Sequence, residues 1–534
     1  MQLTRKTLSI TSLLLISACA VGPDYQRPAM TIPGAFKEAP TPQTPQDYTY
    51  TDEDIDQEPL IPDSVEAAAP TPPLDTTPAL ETSAVPETAK EMEKAQPKDD
   101  VARGQWWEVF GDNDLNGLEI QVAAHNQTVQ AAEASFRQAR ALVGEARAAF
   151  FPTIGADASM SRGKAAQSTT SKVRNNYSGS LDASWVPDFW GRVRREMESS
   201  EAIAQASAAD LALATLTAQN ELAVDYLDLR IADEQKRLLD RTIIAYSKSL
   251  EITQNQYNSG IAVSSDVLQA KVQLENAQAQ MVDIGVARAQ FEHAIAVLVG
   301  KTPEEFSIAA IDAVPGLPDI PSGVPSQLLE RRPDIAAAER NVISANAQIG
   351  VAEAAYFPDI TLSAAGGYQS SALSKWFTLP SRFWSIGPSL VETLFDAGLR
   401  SAQTEAAIAT YDQTVANYRQ SVLTAFQEVE DNLAQLRIYA QEAEVLDSAV
   451  KDADKTVDII LNQYKSGTVS YLNVVTAQTA SLNTQLSALN IRKQRLTAAA
   501  TLIENLGGGW NVSELDKPGV TQGKATPLSF LPFF

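Results

Sequence analysis

Cysteine and histidine are scarce in this chain of 534 residues. Its single cysteine, Cys19, cannot form an intrachain disulfide, and a cysteine-based zinc site is excluded. Only two histidines are present, His125 and His293, so a His-rich metal site is excluded and a His-based catalytic triad has little to work with. Catalysis by carboxylates alone is the alternative that this leaves open. The composition argues against an enzyme, and we expect no catalytic residues, no metal and no cofactor.

Positive charge is also in short supply, because 42 Lys and Arg face 66 Asp and Glu for a formal net charge of −24. This balance argues against a nucleic-acid partner, whose phosphates need Lys and Arg. Half of the net charge lies in residues 37–100, which hold 16 acidic residues, 4 Lys and 11 of the 28 Pro. Such a stretch has too few apolar groups to offset the entropy lost on ordering. We predict a disordered, acidic, Pro-rich linker there, with a partner-binding tail as the alternative.

The first residues have the pattern of an export signal. Arg5 and Lys6 precede an apolar run, residues 8–18, that is too short to span a bilayer. The small residues before Cys19 resemble the lipobox of a bacterial lipoprotein, although an ordinary signal peptide with a chance cysteine is the alternative.

Cleavage at this lipobox would divide the N-terminal region in two. Residues 1–18 would be the lipoprotein signal peptide, and residues 19–36 the lipid-anchored segment that begins with acylated Cys19. The next residue is Ala20 and not Asp, which by resemblance to lipoprotein sorting signals favours the outer membrane.

The rest of the chain matches itself at an offset of about 207 residues. The hexapeptide NQYNSG that begins at Asn255 aligns with NQYKSG at Asn462, and Gly300 aligns with Gly507. Two internal repeats therefore fill the folded part of the chain. The predicted divisions are repeat 1 (about 112–300), repeat 2 (about 325–507), the whole folded part (101–510) and a C-terminal tail (511–534).

Each repeat contains one very long helical segment. Residues 192–258 and 399–465 contain neither proline nor glycine, so each predicts a helix about 100 Å long. In the second, apolar residues from Ile408 to Leu436 recur at alternating steps of three and four, which is the coiled-coil period. The first has two Ala-rich stripes, which favours a ring or bundle of helices over a plain coiled coil.

Four short segments alternate between apolar and polar residues, at 153–160, 177–185, 360–369 and 383–390. This pattern over about nine residues, with aromatics at the ends, is typical of transmembrane β-strands. Half-buried strands of a soluble sheet are the alternative. Four strands cannot close a barrel, which needs at least about eight, so the chain must oligomerise. A dimer would supply eight strands and a trimer twelve.

Several motifs then point to one family. The chain resembles the outer membrane factors, which are TolC-like channels, in their NodT-type lipoprotein branch. The resemblance spans residues 19–36 and roughly 101–510. It rests on CAVGPDY from Cys19, Trp106-Trp107, LLERRPDI from Leu328, Phe357-Pro358 and FDAG from Phe395.

This resemblance implies a mainly α protein with transmembrane β-strands. It would be a trimeric outer membrane channel with four strands per protomer in a shared twelve-stranded β-barrel, plus a long periplasmic α-helical barrel. The implied function is the exit duct of a tripartite efflux system. Small molecules would reach it from an inner-membrane pump, of the resistance-nodulation-division type, through a periplasmic adaptor. A duct for protein export and a structural periplasm-spanning lipoprotein are the alternatives.

The resemblance also places a periplasmic gate at two helical hairpins, residues 257–268 and 464–475. Gly260 and Gly467 would end the long helices in the left-handed conformation that glycine readily adopts.

In TolC-like channels a Tyr of the second hairpin bonds an Asp of the first, and the matching residues are Tyr464 and Asp266. Alternatively, Tyr464 only packs within the hairpin and Asp266 caps a helix over residues 267–299. The acidic ring common in the family is replaced by Asn473 and Thr476, so a strong block by divalent cations is in doubt. We expect Asp266→Ala to raise conductance or vancomycin sensitivity.

Overall fold

The computed structural model describes residues 21–30, 32–38, 105–164, 173–311, 314–318, 320 and 327–521. The predicted signal peptide, Cys19, most of the acidic linker and the end of the C-terminal tail lie outside these residues.

Most of the described chain is helical. The α-helices are α1 (Asn113–His125), α2 (Gln127–Ala148), α3 (Arg192–Asn258), α4 (Ser264–Leu298), α5 (Leu328–Arg331), α6 (Pro333–Ala354), α7 (Leu399–Lys465), α8 (Tyr471–Asn505) and α9 (Pro518–Thr521). The strands are β1 (Thr153–Gly163), β2 (Arg174–Trp185), β3 (Asp359–Ser370) and β4 (Arg382–Val391).

The helices repeat in length as the sequence repeats. Helices α2 and α6 have 22 residues each, α3 and α7 have 67, and α4 and α8 have 35. The predicted long helices, 192–258 and 399–465, are confirmed at both ends. Each begins directly after a glycine with positive φ, Gly191 or Gly398. Each then continues for 67 residues, because no proline or glycine interrupts it.

Helix α3 lies at the centre of a bundle, since it packs against α2, α4, α6 and α8. Its middle turns are fully buried, with Leu222, Tyr226 and Leu229 at 0% exposure. The bundle that the sequence favours is therefore correct, and a plain coiled coil is not. Among the described residues, no helix is long and apolar enough to cross a membrane.

A buried ionic network fastens the connector between the repeats to this bundle. The guanidinium of Arg230, with 0% side-chain exposure, donates a hydrogen bond to the carbonyl of Ala309 at 2.8 Å and another to the hydroxyl of Tyr226 at 2.9 Å. Arg288 donates to the carbonyl of Ile308 at 2.7 Å and also binds Asp233 at 2.7 Å. Two cations thus hold adjacent carbonyls of the connector, where the chain has no regular structure of its own.

The N-terminal segment is attached to the same body. Arg27 forms an ion pair with Glu339 of α6, and Phe36 is buried at 5% exposure. The backbone amides of Lys37 and Glu38 donate to the carboxylate of Glu430 on α7. The attached N-terminal segment therefore includes Lys37 and Glu38, the first two residues of the stretch predicted as a linker.

The four strands form one antiparallel sheet in the order β1-β2-β3-β4. The register pairs Ile154 with Ala183, Leu181 with Gly366, and Ala364 with Ile386. Because side chains alternate between the faces of a strand, the apolar set of every strand falls on the same face of the sheet. The four predicted strands are confirmed, and this apolar face is one continuous surface.

Large side chains on that surface are exposed in the protomer, which fits a sheet that contacts lipid. Its members include Ile154 at 75% exposure, Leu181 at 62%, Trp384 at 74% and Ile386 at 75%. The opposite face carries mainly small and polar residues. Within the described residues, β1 and β4 each pair on one side only, so the sheet has two unsatisfied edges.

The two faces of β2 can be compared at one depth. We expect Leu181→Arg to reduce outer membrane assembly strongly, because a cation on a lipid face at mid-depth costs about 2–4 kcal/mol. Ser180→Arg, one residue away on the opposite face, serves as the control and should assemble normally. Immunoblots of unheated outer membrane fractions measure both variants. Equal assembly of the two would mean that the apolar face does not contact lipid.

Candidate functional site

The two helical hairpins lie at the ends of α3 and α7 that are remote from the sheet. Both turns have the same geometry. Gly260 has φ +76° and donates its amide to the carbonyl of Tyr257 at 2.9 Å, and Gly467 has φ +74° and donates to that of Tyr464 at 2.9 Å. These are left-handed residues that satisfy carbonyls at a helix end, which is the role expected of both glycines.

Tyr464 belongs to a small apolar cluster that joins the hairpins. It is 5% exposed and packs with Tyr471, Val474 and Ala270, the last of which is on α4 of the first hairpin. The rings of Tyr464 and Tyr471 meet edge to face, with centroids 5.2 Å apart. The cluster therefore holds the tips of the two hairpins together within one protomer.

The hydrogen bond expected between Tyr464 and Asp266 is not formed. The Tyr464 hydroxyl is buried and has no hydrogen-bond partner among the described residues. Burial raises the pKa of Tyr464, the hydroxyl of Thr253 on α3 opposes this shift, and the carboxylate of Asp266 adds to it. Thr253, and not Asp266, is therefore the polar side chain nearest to bonding the Tyr464 hydroxyl, although the two are not within hydrogen-bond geometry. The expected bond is wrong for this structure, because the ring is turned into the apolar cluster and the alternative of hairpin packing is correct.

Asp266 does not cap its helix either. Helix α4 begins at Ser264, and the N-cap is Val263, which makes no side-chain capping bond. Asp266 is the third residue of the helix, so the helix starts earlier than the predicted 267. A carboxylate in the first turn still interacts favourably with the helix dipole.

Asn473 and Thr476 lie on one exposed face of α8. Both side chains are exposed, and they are three residues apart, a spacing that places neighbours on the same side of a helix. Leu472, at 58% exposure, is beside them. No acidic residue occurs in 470–480, so this face carries no negative charge of its own.

A polar layer just beyond the hairpins escaped the sequence analysis. Gln273 of α4 donates to the hydroxyl of Thr479 at 2.8 Å, and Tyr246 of α3 donates to the carbonyl of Gln478 at 3.1 Å. The amide of Gln478 donates to Ser249 at 2.9 Å. These residues do not align between the repeats, so no sequence signal marked them. The layer ties α3, α4 and α8 together.

The fold and these hairpins define a class, a channel protein of the outer membrane: a transmembrane sheet attached to long helices that end in paired hairpins. A family model described as outer membrane efflux protein matches residues 120–301 and 324–508. The chain therefore belongs to the outer membrane efflux protein family, and it functions as an outer membrane exit duct in efflux.

Individual relatives match over most of their length. The solvent efflux pump outer membrane protein SrpC of Pseudomonas putida is 29% identical over 516 residues, which cover 95% of this chain and 99% of SrpC. The pyoverdine export outer membrane protein OpmQ of Pseudomonas aeruginosa is 28% identical, over 78% of this chain and 89% of OpmQ. The outer-membrane channel OprN is 29% identical with a TM-score of 0.74, over 80% of this chain and 99% of that structure.

Proposed function

We propose that three copies of this chain close one twelve-stranded barrel and act as a passive duct for small molecules. The unpaired edges of the sheet support this proposal, because backbone groups at a sheet edge cannot be left unsatisfied in lipid. In a ring of protomers, β4 of one copy pairs with β1 of the next. Twelve strands leave room for a lumen, whereas eight would be filled by side chains.

The helices of the three copies would form the periplasmic part of the duct. A periplasmic adaptor would connect its hairpin end to an inner-membrane pump, of the resistance-nodulation-division type. SrpC and OpmQ are named for solvent and pyoverdine, which are chemically unlike, yet both resemble this chain along most of its length. We infer that the pump sets the specificity.

The lipid anchor remains part of the proposal. Acylated Cys19 would hold the N-terminus in the outer membrane, and the segment that follows is fixed to the body. The amide of Val21 donates to the carbonyl of Trp190 at 3.1 Å, and Arg195 pairs with Asp24 at 2.9 Å. These contacts lie near the start of α3, at the sheet end of the molecule.

The gate is proposed at the hairpin tips, where Tyr464 and Ala270 hold two hairpins of one protomer together. Asp266 lies in the same tip, and Asn473 and Thr476 would face the pore axis. A threefold ring of amides and hydroxyls would narrow the pore without the cation binding of a carboxylate ring.

The function is tested by deleting the gene and restoring it. Purified protein should run as a heat-sensitive trimer and conduct in planar bilayers, and the deletion should raise sensitivity to toxic small molecules. Loss of a secreted protein, with unchanged sensitivity, would favour a duct for protein export. A monomer without conductance would favour a structural lipoprotein.

A further inference from the structure

Positive charge is concentrated at the end of the sheet opposite the helices. The sequence ranges 161–176 and 370–382 contain the β1–β2 and β3–β4 connections together with the strand ends beside them. Both ranges carry no Asp or Glu, although the whole chain has a net charge of −24. Their cations among the described residues are Arg162, Lys164, Arg174, Lys375 and Arg382. We call this end of the sheet, with its described cations and the β3–β4 loop, the rim. The rim is extracellular because the helices leave from the opposite end of the sheet.

Two of these cations lie on the apolar face of the sheet. Arg382 pairs with Tyr368 in the register, and Arg162 pairs with Asn175, so both follow the alternation that places Ile386 and Met160 on that face. Arg174 pairs with Gly163 and falls on the opposite face. No ion pair joins any of the described rim cations to a carboxylate of the described residues.

The loop between β3 and β4 folds down onto the same apolar face. The indole of Trp376 donates its N–H to the carbonyl of Tyr368 at 3.1 Å, and the ring of Phe377 stacks on Trp376 with centroids 4.6 Å apart. A Cβ added at Gly179 would lie 3.2 Å from the Trp376 ring, so the indole rests directly on the β2 backbone. The loop is therefore held against the sheet.

This arrangement exposes large apolar side chains beside the cations. Phe377 is 71% exposed, Leu379 is 77% and Trp384 is 74%, within a few residues of Lys375 and Arg382. An apolar patch of this kind is unfavourable in water but stable at a lipid interface. Aromatic rings in membrane proteins lie at the level of the lipid headgroups.

We propose that this rim binds the phosphorylated glycolipid of the outer leaflet, lipopolysaccharide. Its acyl chains would lie on Phe377, Leu379 and Trp384, and its phosphates would pair with Lys375 and Arg382. Such a lipid would contact both the cations and the apolar side chains, whereas a free phosphate would contact the cations alone. A third cation for the lipid depends on the proposed trimer. There β1 of the next copy pairs with β4, which brings Arg162 of that copy close to Arg382.

The binding is tested on the full-length protein in phosphatidylcholine nanodiscs, titrated with bisphosphorylated lipid A. The double variant Lys375→Gln/Arg382→Gln should bind about 25-fold more weakly, since each cation near an anionic headgroup contributes about fivefold. The matched single-charge comparison is Arg382→Gln, on the apolar face, which should bind about fivefold more weakly. Arg174→Gln removes one charge at the same rim on the opposite face and should bind as the wild type does. Trp376→Ala, which frees the loop, should also weaken binding.

Two further probes identify the lipid. Monophosphoryl lipid A should bind less tightly than the bisphosphorylated form, and phosphatidylglycerol should not compete at equal concentration. Equal affinity of the double variant and Arg174→Gln, or full competition by phosphatidylglycerol, would overturn the proposal. Trimer formation and conductance of the double variant should stay unchanged, so a failure here is distinguishable from a failure of the proposed duct.

Discussion

Arg230→Met is expected to destabilise the helical body by about 3 kcal/mol and to release the connector between the repeats. Removing one partner of a buried ionic network typically costs about 3–5 kcal/mol. The lower end applies because Asp233 keeps its second partner, Arg288, at 2.7 Å. The carbonyl of Ala309 would lose its donor, and the cation would no longer lie over the Tyr226 ring, 4.6 Å from its centroid.

The repeat supplies a matched control. Arg437 occupies the position of Arg230 at offset 207, but its side chain is 48% exposed and pairs with Glu38. An exposed pair contributes less than about 1 kcal/mol, so Arg437→Met should change little. Thermal dissociation of the trimer and limited proteolysis between residues 301 and 320 measure both variants. Equal destabilisation by Arg230→Met and Arg437→Met would show that the burial of Arg230 does not account for its contribution to stability.

Tyr464→Ala is expected to open the proposed gate and raise the conductance of the resting channel several-fold. Removing a buried aromatic ring costs about 3–5 kcal/mol, enough to shift a two-state equilibrium by more than a hundredfold. The ring joins α7 to Tyr471 of α8 and Ala270 of α4, so both hairpins lose a contact. Planar-bilayer conductance and vancomycin sensitivity of cells are the measurements.

Three other variants separate packing from hydrogen bonding at this tip. Tyr464→Phe should conduct as the wild type does, because the hydroxyl makes no hydrogen bond to Asp266. Asp266→Ala should raise conductance less than Tyr464→Ala. Tyr257→Ala, at the equivalent position of the first repeat and 45% exposed, should have a smaller effect. An opening by Tyr464→Phe as large as that by Tyr464→Ala would restore a gate based on hydrogen bonding.

The elements of this protein were predictable because local rules determine them. The bounds of α3 and α7 follow from the lack of proline inside each helix and from the glycine at each of its ends. The alternation of apolar and polar residues predicted the ends of the strands to within three residues. The self-match at offset 207 predicted two copies, and the copies have helices of equal length.

The rest depends on residues far apart in the chain. Tyr464 was expected to bond Asp266, yet the packing of Tyr471 and Ala270 turns its ring elsewhere. Arg230 and Arg437 look equivalent in sequence, but only Arg230 is covered by the connector, because the chain after α4 passes over it. Likewise, the position of Trp376 on the β2 backbone follows from the pairing of β2 with β3, which the loop sequence does not encode.

The sequence alone thus determined the repeat, the long helices, the four strands and the family. Those features follow from backbone propensity and from the spacing of apolar residues within one element. Only the tertiary structure decided which side chains meet at the hairpin tips, which arginines are buried and where the rim loop lies. Such contacts are set by burial against elements up to hundreds of residues away, and burial determines whether a charge or a hydroxyl finds a partner.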